Sequence, residues 1–350
     1  MHAHYMQLPR EVIIGTKVLE KLGQICEKFG FHEKVLVIRG TKMGGLHEKE
    51  IDHIFDQYSI STYYFTSKNS TIESVRSAEE IIAEKSPSVV IGLGGGKVID
   101  VAKLSSANRK LHFISVPTAA SHDGIASSQA SIKGLEKPYS LGGQAPIAIL
   151  ADISLISKSP YRLLASGCGD VVAKYTAVHD WKLGYRVKGE YYGDYAAELA
   201  LMSSRLVMKN AAVIKSVSEE AVRTVVEALI SCGVAISIAG SSRPCSGSEH
   251  MFSHALSMIT SNTSLHGEQC GVGAIMSAYL QKANWRLVKN VLKKIGAPTN
   301  ASQLRVEEKH IVKALTMIHQ IRPERYTVFG DKGITARQAE RLAKRSGVIS

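Results

Sequence analysis

The stretch "SVVIGLGGGKVIDVAKLSSANRKLHFISVPT" (residues 88–118) decides the architecture. It opens with a short β-branched apolar run that ends in glycines, the pattern of a strand covered on both faces. "KVIDVAKLSSA" then takes up helical spacing, and "LHFISVPT" returns to a short apolar run. Strand, glycine turn, helix and strand form the repeating unit of a parallel sheet, because parallel neighbours need a crossover long enough to hold a helix.

The same alternation extends upstream. "KVLVIRG" (34–40) reads as a buried strand, helical spacing follows to about Tyr58, and "STYYFT" (61–66) reads as another strand. "TIESVRSAEEIIAEK" (71–85) is an amphipathic helix with Thr71 as its N-cap. Beyond "ILADISLISKSP" (149–160) the pattern changes, and from Tyr161 onward the periodicity is helical with almost no β-rich run. The fold expected is an α/β domain over residues 1–158, with an open Rossmann-like parallel sheet, followed by an all-helical domain over residues 159–350. In such sheets ligands bind beyond the carboxyl ends of the strands.

Lysine and arginine exceed the acids by 12, but the cations are dispersed, so the balance describes a solvated basic surface more than a nucleic-acid groove. A positive field also steers an anionic small substrate. The five cysteines form no CxxC pair and leave one over in any pairing, which points to reduced thiols in a cytoplasm. The first residues carry no apolar signal pattern. No stretch reaches the roughly 18 clean apolar residues of a membrane span; the nearest, "VVEALISCGVAISIAG" (225–240), carries Glu227. A soluble, cytoplasmic protein without membrane insertion is expected.

Two loops leave the carboxyl ends of expected strands. "GLGGGKVID" (92–100) joins strand to helix, the context in which backbone N–H groups and a helix N-terminus cradle phosphate. It is neither a P-loop, which needs glycine at 91 and Ser or Thr at 98, nor GxGxxG, which needs glycine at 97. "VPTAASHDGIASSQASI" (116–132) gathers Thr118, Ser121, His122, Asp123 and Ser127 where they can touch a cofactor or a substrate. A loop that merely caps itself with its own hydroxyls explains the same composition.

The helical half contains "CSGSEHMFSHALSMITSNTSLHGEQC" (245–270), with histidines at 250, 254 and 266. His250 and His254 are four apart and share a helix face, and His266 opens the next helix. The string is not HExxH, and Cys245 and Cys270 do not have the spacing of a closed zinc site. What remains is an open site of two histidines and a carboxylate from elsewhere. Asp170, at the start of the first helix of this half and flanked by small residues, is the strongest candidate.

"GGGKVIDVAK", "VPTAASHDGIAS", "GCGDVVAKYTAVHDWKL", "SEHMFSHAL" and "LHGEQCGVG" stand in the order and spacing of the iron/zinc-dependent polyol dehydrogenase superfamily. Within it the chain resembles the archaeal sn-glycerol-1-phosphate dehydrogenases over nearly its whole length. That resemblance implies a dehydroquinate synthase-like fold, with a dinucleotide-binding first domain and a metal- and substrate-binding second one. It implies reversible reduction of dihydroxyacetone phosphate to sn-glycerol 1-phosphate with NAD(H) or NADP(H) and one Zn2+ per subunit, supplying the backbone of archaeal membrane lipids, in a homo-oligomer. It assigns Asp170, His250 and His266 to the metal, and Asp123, Asp170 and His254 to the substrate. Asp123 and His254 are the expected catalytic residues, His254 to orient a substrate hydroxyl or pass a proton and Asp123 as acid or orienter. Gly95, Gly96, Lys97, Val98, Ile99, Asp100, Thr118, Ala119, Ala120, Ser121 and Ser127 fall to the cofactor.

The end of the first recognised strand offers Arg39, Thr41 and Lys42 instead of the acid that favours NAD, so NADPH is expected to be accepted. Two other activities of the superfamily stay open at this level: a dehydrogenase of free glycerol or another polyol, and a 3-dehydroquinate synthase-type lyase. Asp170 speaks against the lyase, which typically has glutamate at the first metal position.

Overall fold

The structure, a computed structural model, describes residues 5–41, 46–134, 140–261 and 264–350. It forms two compact units. One comprises Tyr5–Ala120 and Gly124–Ser159; the other comprises Ser121–Asp123 and Pro160–Ser350.

The first unit is α/β. Its elements are β1 (Glu11–Gly15), α1 (Leu22–Lys28), β2 (Lys34–Gly40), α2 (Leu46–Asp56), β3 (Ser61–Ser67), α3 (Ile72–Lys85), β4 (Val89–Gly94), α4 (Gly96–Asn108), β5 (His112–Pro117), β6 (Gln129–Ser131), β7 (Ser140–Gly142), β8 (Ala148–Asp152) and α5 (Ile153–Ile156). Six strands make a parallel sheet in the order β1-β8-β5-β4-β2-β3, and β6 and β7 form a separate antiparallel ribbon.

β2 shows why its sequence is a continuous apolar run. Val35 and Val37 join one core with Phe55, Ile91 and Ile114, while Leu36 and Ile38 join a second with Val75, Ile99 and Phe113. Alternate residues thus meet apolar layers on opposite faces of the sheet. Thr71 caps α3 as expected, its hydroxyl accepting the Ser74 N–H at 3.3 Å. Two sheet members, β1 and β8, were not recognisable as strands in the sequence.

β4 and β5 run in register to Gly94 and Pro117, so the glycine turn and the loop after β5 leave one sheet edge side by side. Thr118 N–H donates to Gly94 O at 3.0 Å and ties them together.

The second unit is helical: α6 (Tyr161–Lys188), α7 (Asp194–Lys209), α8 (Ala211–Ile214), α9 (Glu219–Ala239), α10 (Ser248–Ile259), α11 (His266–Leu280), α12 (Trp285–Ile295), α13 (Ala301–Leu304), α14 (Glu308–Ile321) and α15 (Ala336–Arg345). α6 is the central helix, buried without interruption from Leu164 to Lys174 and packed against α7, α9, α10, α11 and α12. α9 needs a correction to the expectation that no stretch could span a membrane: by length and composition it is apolar enough to do so. Yet 67% of its apolar window is buried inside the protein, where it packs on α6 and α7 as a core helix.

Candidate metal centre and active site

The site is assembled by a close approach of α6 and α11. A Cβ at Gly267 would lie 1.9 Å from Ser166 O, and one at Gly169 would lie 2.3 Å from Gly267 O. Two glycines let the helix backbones touch, and the residues beside them, Asp170 and His266, face each other as a result. The start of α11 is pinned by Glu268. Its carboxylate accepts the Leu265 N–H at 2.7 Å and receives Arg162 in a two-point pair at 2.6 and 2.7 Å. Asp170 is the tenth residue of α6, in mid-helix rather than at the start, as the sequence had placed it.

Asp170, His250, His266 and Cys270 each offer a donor atom, and these atoms all lie within 4.8 Å of one another. Hydrogen bonds behind the rings orient both histidines. His250 Nδ1 contacts Glu249 Oε1 at 2.8 Å, and Glu249 is itself held by the Thr176 hydroxyl at 2.9 Å and the Gly247 N–H at 2.6 Å. Glu249 accepts, so Nδ1 carries a proton, and Nε2 turns inward, 3.3 Å from Asp170 Oδ1. Burial opposes a charge on the ring, but its acidic neighbours raise its pKa well above the ordinary value, so without a metal the imidazole is a cation and a bound ion would take the place of the Nε2 proton. The Ser253 hydroxyl gives its proton to Gln269 Oε1 at 2.7 Å, so at 3.1 Å it accepts from His266 Nδ1. His266 Nε2 is therefore the atom that faces the other candidate ligands.

Cys270 needs a second correction. Read in the sequence as an ordinary thiol outside the site, it stands one turn along α11 with its Sγ 3.5 Å from His266 Nε2.

Two carboxylates share one buried cation. Lys174, fully buried, places Nζ 2.7 Å from Asp170 Oδ1 and 2.7 Å from Asp123 Oδ2. The Asp123 N–H also donates to Asp170 Oδ2 at 2.9 Å. Burial opposes the charge on Asp170, but Lys174 and His250 hold its carboxyl well below the usual carboxylate range. Burial likewise opposes the charge of Lys174, and Asp123 and Asp170 outweigh it, raising the amine above its ordinary value. The sequence reading had not identified Lys174, although its i, i+4 spacing from Asp170 is the usual signature of a helical ion pair.

His254 lies on α10 with its ring 6.0 Å from that of His266. Burial, then His250, Arg322 and Arg325, push it down to about 3, so it is a neutral imidazole at physiological pH. His266 is lowered too, by burial first and His250 second. His122, from the loop after β5, stands edge-on to His266 at 6.3 Å.

The residues assigned to a cofactor divide in two. Gly95 is the N-cap of α4, its side-chain position empty, and a Cβ there would meet nothing within 4 Å. With Gly96 and the exposed Lys97 it presents the open start of a helix. Val98, Ile99 and Asp100 are buried: Val98 packs under Gly94, and Asp100 accepts the Ser131 N–H at 3.1 Å. Thr118, directly after β5, is half-buried, and Ala119, Ala120, Ser121 and Ser127 are buried. Ser121 O accepts from the Ser166 hydroxyl at 3.2 Å. Arg39 is ion-paired with Glu48 and lies 5.1 Å from the Tyr64 ring centre; Thr41 is exposed, and Lys42 lies outside the described residues.

Residues 13–160 match the family described as iron-containing alcohol dehydrogenase. The chain is 47% identical over 350 residues to the glycerol-1-phosphate dehydrogenase (NAD(P)+) of Thermococcus sibiricus, covering 100% of this chain and 99% of that one. It is 49% identical over 347 residues to the enzyme of the same name from Thermococcus kodakarensis, covering 99% of each. The crystal structure of glycerol dehydrogenase from Schizosaccharomyces pombe superposes with a TM-score of 0.82 over 99% of this chain and 91% of that one, at 18% identity, which shows a shared fold. The order of motifs, the α/β match to iron-containing alcohol dehydrogenases and the full-length identity agree, and the chain belongs to the glycerol-1-phosphate dehydrogenase family.

Proposed function

We propose that this protein reversibly reduces dihydroxyacetone phosphate to sn-glycerol 1-phosphate with NADH or NADPH, in the cytoplasm, as the source of the glycerophosphate backbone of archaeal membrane lipids. The observation that carries the reading is the buried convergence of Asp170, His250 and His266 beside Asp123 and Lys174, in a chain nearly half identical to enzymes of that name. Five free, buried cysteines fit a reducing compartment. Free-polyol oxidation and lyase chemistry are not favoured by these relatives.

The donor set fits a divalent cation: one ionised carboxylate and two inward Nε2 atoms, each ring held from behind. Nitrogen and oxygen donors suit Zn2+, the ion we propose. When bound, such an ion supplies Lewis acidity that polarises a substrate carbonyl. In this reading the helical unit holds metal and substrate, and the α/β unit binds the dinucleotide at the open N-terminus of α4, where Gly95 leaves room for a phosphate.

The protein's own groups orient the rest. Asp123, held by Lys174, positions a substrate hydroxyl, and Asp170 is fixed by the same lysine and by the Asp123 N–H. Neutral His254 hydrogen-bonds a substrate oxygen, and its low pKa makes it an orienting group more than a proton reservoir. Self-association, implied by the family resemblance, is part of the same reading; Tyr195, Met202 and Leu206 are exposed along α7 and offer apolar surface for it.

The test is turnover of dihydroxyacetone phosphate with each cofactor, before and after chelation, with product chirality determined and with Asp170→Asn and His266→Ala alongside. We expect metal-dependent formation of the sn-1 enantiomer, and loss of metal and activity together in both variants. Full turnover with retained metal in both variants refutes the site; the opposite enantiomer refutes the function.

A further inference from the structure

The segment after α14, "IRPERYTVFG" (321–330), brings cations to the site from a direction that the reading above leaves unused. α14 packs on α10, the helix of His254, and Arg322 and Arg325 lie close enough for their charges to act on that imidazole. Arg325 donates from Nη2 to the Ser242 hydroxyl at 3.0 Å, while its buried Nη1 finds no hydrogen-bond partner among the described residues. Behind it Arg243, 5% exposed, spends Nη2 on Glu190, Tyr326 O and Asp180 O at 2.8, 2.9 and 3.3 Å. Its Nε and Nη1 are likewise buried without partners among the described residues.

Glu190 is taken by Arg243, and Glu324, with a side chain 62% exposed, is a loose neighbour at 3.7 Å from Arg322 and 3.9 Å from Arg325. Burial, then Arg322 and Arg243, lower Arg325 to about 10, the mark of a cation crowded by cations. Buried N–H donors are normally satisfied, and guanidinium groups that crowd one another while holding orphaned donors suit an anion.

We propose that Arg322 and Arg325, positioned by Arg243, bind the phosphate monoester of the substrate and so select a phosphorylated ketone over the free one. The inference rests on the function proposed above and names its phosphate subsite. A phosphate dianion has the acceptor oxygens that planar guanidinium forks match. The order metal ligands, His254, arginines also fits a three-carbon ketone with its central carbonyl toward the metal ligands and its terminal phosphate toward the arginines.

The experiment compares kcat/KM for dihydroxyacetone phosphate and for dihydroxyacetone, with NADH and again with NADPH, in the parent, Arg322→Gln, Arg325→Gln and Arg325→Lys. A second arm follows the melting temperature of metal-free parent and variants against inorganic phosphate. In Arg325→Gln the preference for the phosphorylated substrate should fall on the order of 30-fold, equivalent to ~2 kcal/mol at 1.36 kcal/mol per decade, mainly through KM. The fall should be equal with both cofactors, since a fall confined to NADPH would place the arginines on the cofactor's phosphate and overturn the proposal. Inorganic phosphate should raise the melting temperature of the parent and not of Arg325→Gln.

A parent that turns over the phosphorylated substrate while both Gln variants keep its preference refutes the subsite and leaves the function standing. A parent inert to that substrate refutes the function, and the melting arm then decides the subsite. Should Arg325→Gln fail to fold, Arg325→Lys decides: it keeps the charge but loses the fork, and an unchanged preference there overturns the proposal.

Discussion

Lys174 is the group on which the site's electrostatics turn, and Lys174→Met tests that. Its Nζ stands 2.7 Å from each of two carboxylates, and the side chain is fully buried. At an effective dielectric of about 20 each contact is worth ~6 kcal/mol of Coulomb energy, and the two together, less the repulsion between the carboxylates, offset the desolvation of three ions. Removing one partner from a buried ion network typically costs ~3–5 kcal/mol, because the charges left behind are uncompensated. Methionine keeps the unbranched bulk of lysine, so little of the effect should come from a cavity. Denaturant unfolding of the metal-free variant should therefore show a loss of ~3–5 kcal/mol. In saturating Zn2+ the deficit should narrow, since a bound dication takes over part of the compensation for Asp170, and its binding stabilises the folded state by mass action. A metal-free variant within ~1 kcal/mol of the parent, or a deficit identical with and without Zn2+, would refute the reasoning.

Gly267→Ala places a methyl group 1.9 Å from Ser166 O, so α6 and α11 must separate. We expect a cost of ~1–3 kcal/mol and weaker zinc in chelator competition, and unchanged zinc affinity would show that this contact does not set the ligand geometry. Asp152 caps α5 and accepts from the N–H groups of Lys17, Leu19 and Leu155 and from the Ser154 hydroxyl. Burial opposes its ionisation, yet these donors lower its pKa below 3.8, so its stabilisation is complete above the ordinary carboxylate range and disappears as pH falls through the lower folded value. Asp152→Asn should cost ~1 kcal/mol at pH 7 and converge with the parent in acid, and parallel melting curves from pH 7 to strong acid would contradict this. Cys270→Ser should keep both metal and turnover, because a catalytic centre needs an open position; a sulfur-to-metal charge-transfer band in the cobalt-substituted parent would show Cys270 to be a fourth ligand.

Legibility followed the range of the interaction. β2, β3, β4 and β5 announce themselves because each is a local run with its own turn signals, and Thr71 reads as a cap because its partner Ser74 is three residues away. β1 and β8 escaped for the opposite reason. "EVIIG" and "AILAD" are five-residue runs that become strands by pairing with each other across more than a hundred residues of chain and, for β8, also with the nearer β5. α9 shows the same limit from the other side: its composition alone fits a membrane span, and only the helices packed around it identify it as core.

In the candidate site the histidine pair was legible because four residues on a helix is a fixed geometry. The partners that give those histidines their chemistry were not. Glu249 adjoins His250 in sequence, but its role depends on reaching Nδ1 of the ring while Thr176 and Gly247 hold it, and no spacing rule encodes that. Lys174 has a readable i, i+4 relation to Asp170, yet thousands of such surface pairs look alike; what separates this one is complete burial and a second carboxylate, Asp123, supplied from fifty residues upstream. The arginines after α14 were still less visible, since a lone "RPER" reads as solvated charge. The meaning we propose for them comes from donors of Arg325 and Arg243 that are buried without acceptors among the described residues, a property of the folded chain and not of any local spacing.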